Sequence, residues 1–221
     1  MDSALRQGWT RIIQADDIDD HMQQIGQAAA NAELLVALLR TQHCGARQKL
    51  LLVGGGTGQF LEYVDAVFFT RFDITVSDIN PVFLARARER FARESLHQAR
   101  FIVDDIESTS LVGPFDVIAV VMVLEHIDWH LGLRNIHGLS PERLDIIIQS
   151  NPEDMASAIA PTRKLNPSMQ AFAAIAKPTL IASDQLIEFL QSLGYGLQTR
   201  NERTVADEKV MLGFSFCRIE R

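Results

Sequence analysis

The stretch Lys49–Val64, "KLLLVGGGTGQFLEYV", decides how the chain is read. Three leucines and a valine run into Gly54, Gly55 and Gly56, followed by Thr57 and Gly58. A short apolar run closed by glycines reads as a buried strand ending in a tight loop. In an open α/β sheet the ligand crevice lies beyond the carboxyl ends of the strands, near the switch point after the first strand. Glycine there permits positive φ and lets a ligand approach without a Cβ in the way. The segment that follows is expected to be a helix offering its N-terminus to that ligand.

The text on either side fits such a sheet. Downstream, apolar runs alternate with amphipathic ones: "FDITVSD" then "PVFLARARERFARESL", "RFIVDD", "FDVIAVVMVL" then "WHLGLRNIHGL", and "LDIIIQS". Near-continuous apolar strands alternating with helices signal a parallel sheet covered on both faces. Upstream, "DDIDDHMQQIGQAAANAELLVALLR" (residues 16–40) has the spacing of one long helix that ends near Thr41–Gly45, with a solvated acidic start at Asp16, Asp17, Asp19 and Asp20. After "IIIQSNP" the chain is punctuated by Pro152, Pro161, Pro167 and Pro178 around a short apolar helix, "MQAFAAIA". "SDQLIEFLQSLGY" then reads as a helix capped by Ser183 or Asp184, and "GYGLQTRNE" with "KVMLGFSFCRIE" as an antiparallel hairpin. The expected organisation is a helical cap over residues 1–45 and an α/β domain over 46–221, with a Pro-punctuated cap insertion at about 152–181.

The bulk properties narrow the partners. With 221 residues, 47% hydrophobic and 22% charged, the composition is that of a soluble globular protein. The net charge of −7 argues against nucleic acid as a partner, because phosphate binding relies on clustered Lys and Arg. The longest fully apolar run, Val117–Leu124, is far short of the about 20 residues that cross a bilayer. Cys44 and Cys217 lie far apart with no metal-ligand spacing, and "MDSALRQGWT" lacks the pattern of a signal peptide, so a reduced, cytoplasmic protein is expected. The oligomeric state is left open, a homodimer included.

Spacing discriminates between ligands for the loop. The dinucleotide fingerprint wants glycine at the first, third and sixth positions, and counting from Gly54 the sixth is Gln59. A P-loop needs Gly-Lys-Ser/Thr, which is absent here. Glycine at alternate positions, Gly54, Gly56 and Gly58, resembles the first motif of the class I S-adenosylmethionine-dependent methyltransferases. The resemblance runs from about Lys49 to Pro152, and more loosely to the C-terminus. It implies a Rossmann-like, seven-stranded, mostly parallel sheet with an antiparallel last strand, helices on both faces, and S-adenosylmethionine as cofactor.

The resemblance also assigns residues. Gly54, Gly55, Gly56 and Gly58 would cradle the cofactor. Asp78, ending the second strand in "TVSDINP", would take both ribose hydroxyls, an acceptor role that suits a carboxylate. Ile79 would lie on the adenine. In "FIVDDIES", Asp105 would accept from the adenine amino group, with Asp104 as its rival by register, and Ile106 would offer its backbone N–H. Val121, at the end of the fourth strand, would face the methionine part. Two departures stand out. The acidic residue that the family carries two positions before the first glycine is Leu52 here, leaving Gln27 or Asn31 to cover that end of the cofactor, and "GLSPERLDI" replaces the usual Gly-Gly turn.

Methyl transfer is an in-line displacement that gains much of its rate from alignment, so no universal catalytic residue is demanded. The candidates for a base are His126 and Glu125 in "LEHIDWH". His126 and His130 stand four apart beside Glu125 and Asp128, a spacing that invites a metal, yet the segment crosses from strand to helix and no metal is assigned. Met169 and Phe172, with Trp9 and Trp129, are candidates to line an acceptor pocket or to pack a cap. The other histidines, His21, His43, His97 and His137, are expected at the surface or behind the site. The expected function is methylation of a small-molecule acceptor. A protein or RNA acceptor, and a catalytically inactive cofactor-binding protein, are the alternatives.

Overall fold

The computed structural model describes residue 1 and residues 3–40, 47–151, 165–176 and 179–219. The helix end expected near Thr41–Gly45, with His43 and Cys44, and the positions of Pro152, Pro161 and Pro178 lie outside the described residues. In chain order the elements are α1 (Ser3–Gln7), a π-helical turn (Gly8–Ile12), α2 (Ala15–Gln24), α3 (Gln27–Leu39), β1 (Gln48–Val53), two 3-10 segments (Gln59–Tyr63 and Ala66–Arg71) and β2 (Phe72–Asp78). There follow α4 (Pro81–Arg93), β3 (Arg100–Val103), β4 (Val117–Val121), α5 (Trp129–Gly138), β5 (Arg143–Ser150), α6 (Pro167–Ala173), α7 (Ser183–Ser192), β6 (Tyr195–Thr204) and β7 (Val210–Arg218).

Among the described residues seven strands form one sheet in the order β3-β2-β1-β4-β5-β7-β6. The pairs among β1 to β5 are parallel, while β7 runs antiparallel to both β5 and β6. The strand order reverses at β1, which places the glycine loop at the switch point. Alternation along β1 feeds two cores. Leu51 and Val53 join the α5 and α7 side with Leu133, Ile136, Leu186 and Leu190, whereas Leu50 and Leu52 join the α3 and α4 side with Leu34, Leu38, Leu84 and Phe91. Each such side chain contributes about 1.5–3 kcal/mol on burial, so a sheet filled on both faces is held chiefly by these two layers.

Three local expectations are corrected. The N-terminal helix is two helices, broken at Ile25 and Gly26, where Gly26 takes a φ of 74°. The break lets α3 lie on the sheet, with Leu34 and Leu38 against Gly213 of β7, while α2 turns over the carboxyl ends of the strands. The loop after β1 leads into 3-10 turns, not an α-helix, because Phe60, Phe68 and Phe69 pack edge-to-face and Asp65 caps a second turn through the Val67 N–H at 2.9 Å. The loop therefore offers its own backbone rather than a long helix dipole. Finally, α7 begins at Ser183 with Ala182 in the cap position and no side-chain cap. No helix among the described residues is long and apolar enough to cross a membrane.

Candidate functional site

The carboxyl ends of β1, β2, β3 and β4 open into one cavity of about 250 Å³, covered by Trp9 of the π-helical turn, by α2 and by α6. At its floor the N–H groups of Gly54 and Gly55 donate to the Ser77 carbonyl of β2 at 2.9 and 3.1 Å. Gly54, with a φ of 72°, packs so tightly that a Cβ would stand 2.1 Å from Val123 Cγ2. At Gly56, with a φ of 55°, a Cβ would meet nothing within 4 Å. Gly54 is thus glycine for close packing, whereas at Gly56 bare backbone faces space that a ligand can fill.

Asp78 closes β2 against this loop. Its Oδ2 accepts from the Gly56 N–H at 2.9 Å and its Oδ1 from the Asn80 N–H at 2.9 Å. The N-terminus of α4 is capped by Asn80, which accepts from the Val82 and Phe83 N–H groups, so Asp78 is free of capping duty. Burial pushes the Asp78 carboxyl up to about 6, while the backbone donors, Asn80 and Gly56 first, oppose that rise. Ile79 and Ile106 are walls of the same cavity, as are Gly54, Gly55, Gly56 and Val121; Gly58 is not, and packs against Ala87 of α4.

Both acids after β3 reach the wall. Asp105 caps the turn carrying Ile106 by accepting from the Glu107 N–H at 3.0 Å, and it pairs with Arg6 of α1. Asp104 accepts from the Ser110 N–H at 2.9 Å, but its Oδ2 is buried with no partner.

The two base candidates separate. His126 is a wall residue; its ring meets Trp9 edge-on at 4.8 Å, and burial pushes its pKa down to about 4. Glu125 is not a wall residue. Its Oε1 accepts from the Gln149 N–H at 2.7 Å, its Oε2 is buried without a partner, and burial raises the carboxyl to about 7. The short 3-10 turn Leu124–His126 points consecutive side chains apart, and only one of them reaches the crevice. His130 stacks on Trp129 at 3.6 Å and is not a wall residue, and among the described residues no group of three or more His, Cys, Asp or Glu side chains could hold a metal.

Met169 and Phe172 of α6 and Trp9 complete the cover, with Trp9 edge-on to Phe172 at 4.8 Å; Trp129 packs instead against Phe189. One feature was invisible in the sequence. Asp19, in the acidic run read as solvated, is only 9% exposed. It accepts the Thr57 hydroxyl and pairs with Arg90 of α4 at 2.8 Å, and Arg90 also donates to the Thr57 carbonyl at 2.9 Å. Its register, four residues after buried Ala15, is the one clue that it faces inward. His21 is likewise a buried wall residue rather than a surface one, and burial and nearby Lys209 lower its pKa.

Residues 51–140 match the family model described as a methyltransferase domain. No curated protein matches the chain. The fold is similar to magnesium protoporphyrin IX methyltransferase (ChlM) from Synechocystis PCC 6803 with bound SAH, with a TM-score of 0.63 and 16% identity over 92% of this chain and 85% of that one. It is similar to the N-methyltransferase NodS from Bradyrhizobium japonicum WM9 in complex with S-adenosyl-L-homocysteine, with a TM-score of 0.60 and 22% identity over 86% of each chain. It is also similar to the cyclase SpnF, with a TM-score of 0.64 and 16% identity over 86% of this chain and 81% of that one. The chain therefore shares the fold of these methyltransferases, with the match to the methyltransferase domain model confined to residues 51–140.

Proposed function

We propose that the protein transfers a methyl group from S-adenosylmethionine to a small, largely apolar acceptor. The observation that carries this reading is the pairing of open backbone at Gly56 with the half-buried Asp78 carboxylate at the switch point of the sheet. A carboxylate beside bare backbone is what a ribose diol needs, because the carboxylate takes two O–H donors and the missing Cβ leaves room for the sugar. The residues present thus fit the cofactor.

When bound, the cofactor supplies an electrophilic methyl group on a sulfonium, whose carbon–sulfur bond breaks with its electron pair remaining on sulfur. Asp78 holds the ribose, Ile79 and Ile106 flank the adenine, and Asp105, capping the turn of Ile106, accepts from the adenine amino group. Val121 limits the methionine end. His126 stands at the acceptor end in its neutral form, which accepts the proton that a hydroxyl or amine sheds as its lone pair attacks. Trp9, Ile18, Met22, Phe83, Met169 and Phe172 surround that end with apolar surface. Trp9 Nε1 and His126 Nδ1 are both buried without partners, which suits an acceptor bearing one hydrogen-bonding group.

Leu52 favours a second reading, a protein that binds the cofactor without catalysis. Thermal shift with S-adenosylmethionine, S-adenosylhomocysteine and NAD tests binding. Saturation at a hundred times Kd stabilises by about 2.7 kcal/mol, which is visible as a shift of a few degrees. Stabilisation by both sulfur compounds and not by NAD is the expected result; folded protein that responds to neither sinks the proposal. Transfer of labelled methyl to one of a panel of small phenols and amines then separates catalysis from binding alone.

A further inference from the structure

The methionine end of the cofactor carries an ammonium group, and β1 offers it no carboxylate. Leu52 is 1% exposed and belongs to the apolar layer shared with Leu34, Leu35 and Leu38 of α3. The chain nevertheless presents polar atoms at this end of the cavity. Gln27, Asn31 and Leu35 are spaced four apart on α3, and all three line the cavity. Leu35 sits in the layer of Leu52. One turn further on from Asn31, Gln27 reaches Gln149, at the end of β5, with a 3.3 Å hydrogen bond to its Oε1. Asn31 therefore lies between the level of Leu52 and the mouth of the strands, on the helix that packs over both.

The Asn31 amide has no stated task in the protein. The residue is 6% exposed, its Oδ1 is buried without a hydrogen-bond partner, and no hydrogen bond to its side chain occurs among the described residues. A buried acceptor left bare is costly, so it calls for a donor that the protein alone does not supply. Gln27 next to it is already committed through its Nε2. Because nothing else holds the Asn31 amide, rotation about its terminal bond turns the oxygen to a ligand without breaking an existing contact.

We propose that Asn31 accepts a hydrogen bond from the ammonium group of the cofactor's methionine end, from the helix side, in place of the carboxylate absent at position 52. The assignment rests on the cofactor reading above. A neutral amide opposite a cation forms a charge-assisted bond without burying a second ion, which suits a site whose strand side is leucine.

The test compares two ligands, S-adenosylhomocysteine, which carries the ammonium, and 5′-methylthioadenosine, which lacks the amino-acid half. Calorimetric titration of native protein, Asn31→Leu and Asn31→Asp is expected to show a clear pattern. Asn31→Leu weakens S-adenosylhomocysteine by about tenfold or more, the usual weight of a hydrogen bond to a charged group, and leaves methylthioadenosine within twofold. Asn31→Asp, nearly the same size, restores or tightens S-adenosylhomocysteine and also leaves the nucleoside unchanged, so a poorly folding leucine variant does not spoil the test. Equal S-adenosylhomocysteine affinity across all three proteins overturns the assignment while leaving the cofactor reading intact, and so does equal loss of both ligands in Asn31→Asp. Native protein that binds neither ligand overturns both.

Discussion

The Gly56 N–H donates to Asp78 Oδ2 at 2.9 Å, so the loop after β1 and the acid that ends β2 are a single unit. With the Asp78 carboxyl raised to about 6 by its surroundings, the ionised form is present at neutral pH and disappears below that value. Only the ionised form accepts from two hydroxyls. S-adenosylhomocysteine affinity should therefore hold from pH 8 to about 6.5 and decline as pH falls through 6. Asp78→Asn should bind at least about tenfold more weakly at pH 7.5 and lose the decline between pH 7 and 5, both read by calorimetry.

Two glycines two residues apart should fail in different ways. Gly54→Ala drives a methyl to 2.1 Å from Val123 Cγ2, at a φ of 72°, and should cost about 2–4 kcal/mol in urea unfolding. Adding Val123→Ala should recover part of that loss. Gly56→Ala meets no atom within 4 Å and should cost about 1–2 kcal/mol, from its φ of 55°. Yet it places a methyl where the ligand comes, so it should lose more affinity than stability. Equal stability losses in the two variants would contradict this division.

The same contrast shows what was legible in the chain. The strands and the acids at their ends are written locally, in apolar runs that stop at "VGGG", "SDIN" and "VDDI", and a mostly parallel sheet could be read from them, whereas the order of the strands in it comes only from the fold. The break at Gly26 was hidden, because the apolar spacing continues across it and a single glycine inside a helical pattern is tolerated. Asp19 was hidden for a different reason. Its partners, Thr57 and Arg90, lie 38 and 71 residues away and come together only when α2 folds over the loop. The parting of Glu125 from His126 follows from the φ/ψ values of one short turn, which no spacing rule records.

Asp19 joins the cover to the loop, so its loss should be felt twice. Arg90 is buried and, among the described residues, keeps only Glu62, at 2.9 Å from its Nε, as a charged partner once Asp19 is removed. Breaking a buried pair from one side costs about 3–5 kcal/mol, and Glu62 should hold the loss to the lower end. Asp19→Ala should therefore unfold about 3 kcal/mol more easily and bind S-adenosylhomocysteine more weakly, with Thr57→Val a milder copy of both effects. A stability loss with unchanged affinity would mean that α2 does not serve the site.

Glu125 offers a test of burial alone. Its carboxyl is raised from 4.5 to about 7, with burial the main cause and the Gln149 N–H opposing it, so between those values the folded protein holds a proton that the unfolded chain has released. The stability this group contributes is complete below pH 4.5 and is lost as pH rises to 7. His126 runs the other way, because its depressed value makes stability fall as pH drops from 6.5 toward 4. The two trends mask each other in the native protein. They separate on subtraction, since Glu125→Gln leaves His126 in place. The stability of Glu125→Gln minus that of the native protein should climb through pH 4.5 to 7, by about 3 kcal/mol in the limit of full burial, and stay level above. Urea unfolding of both proteins at half-unit pH steps measures it. A difference that stays constant across the range would mean that Glu125 ionises in the fold, with its second oxygen finding a partner after all.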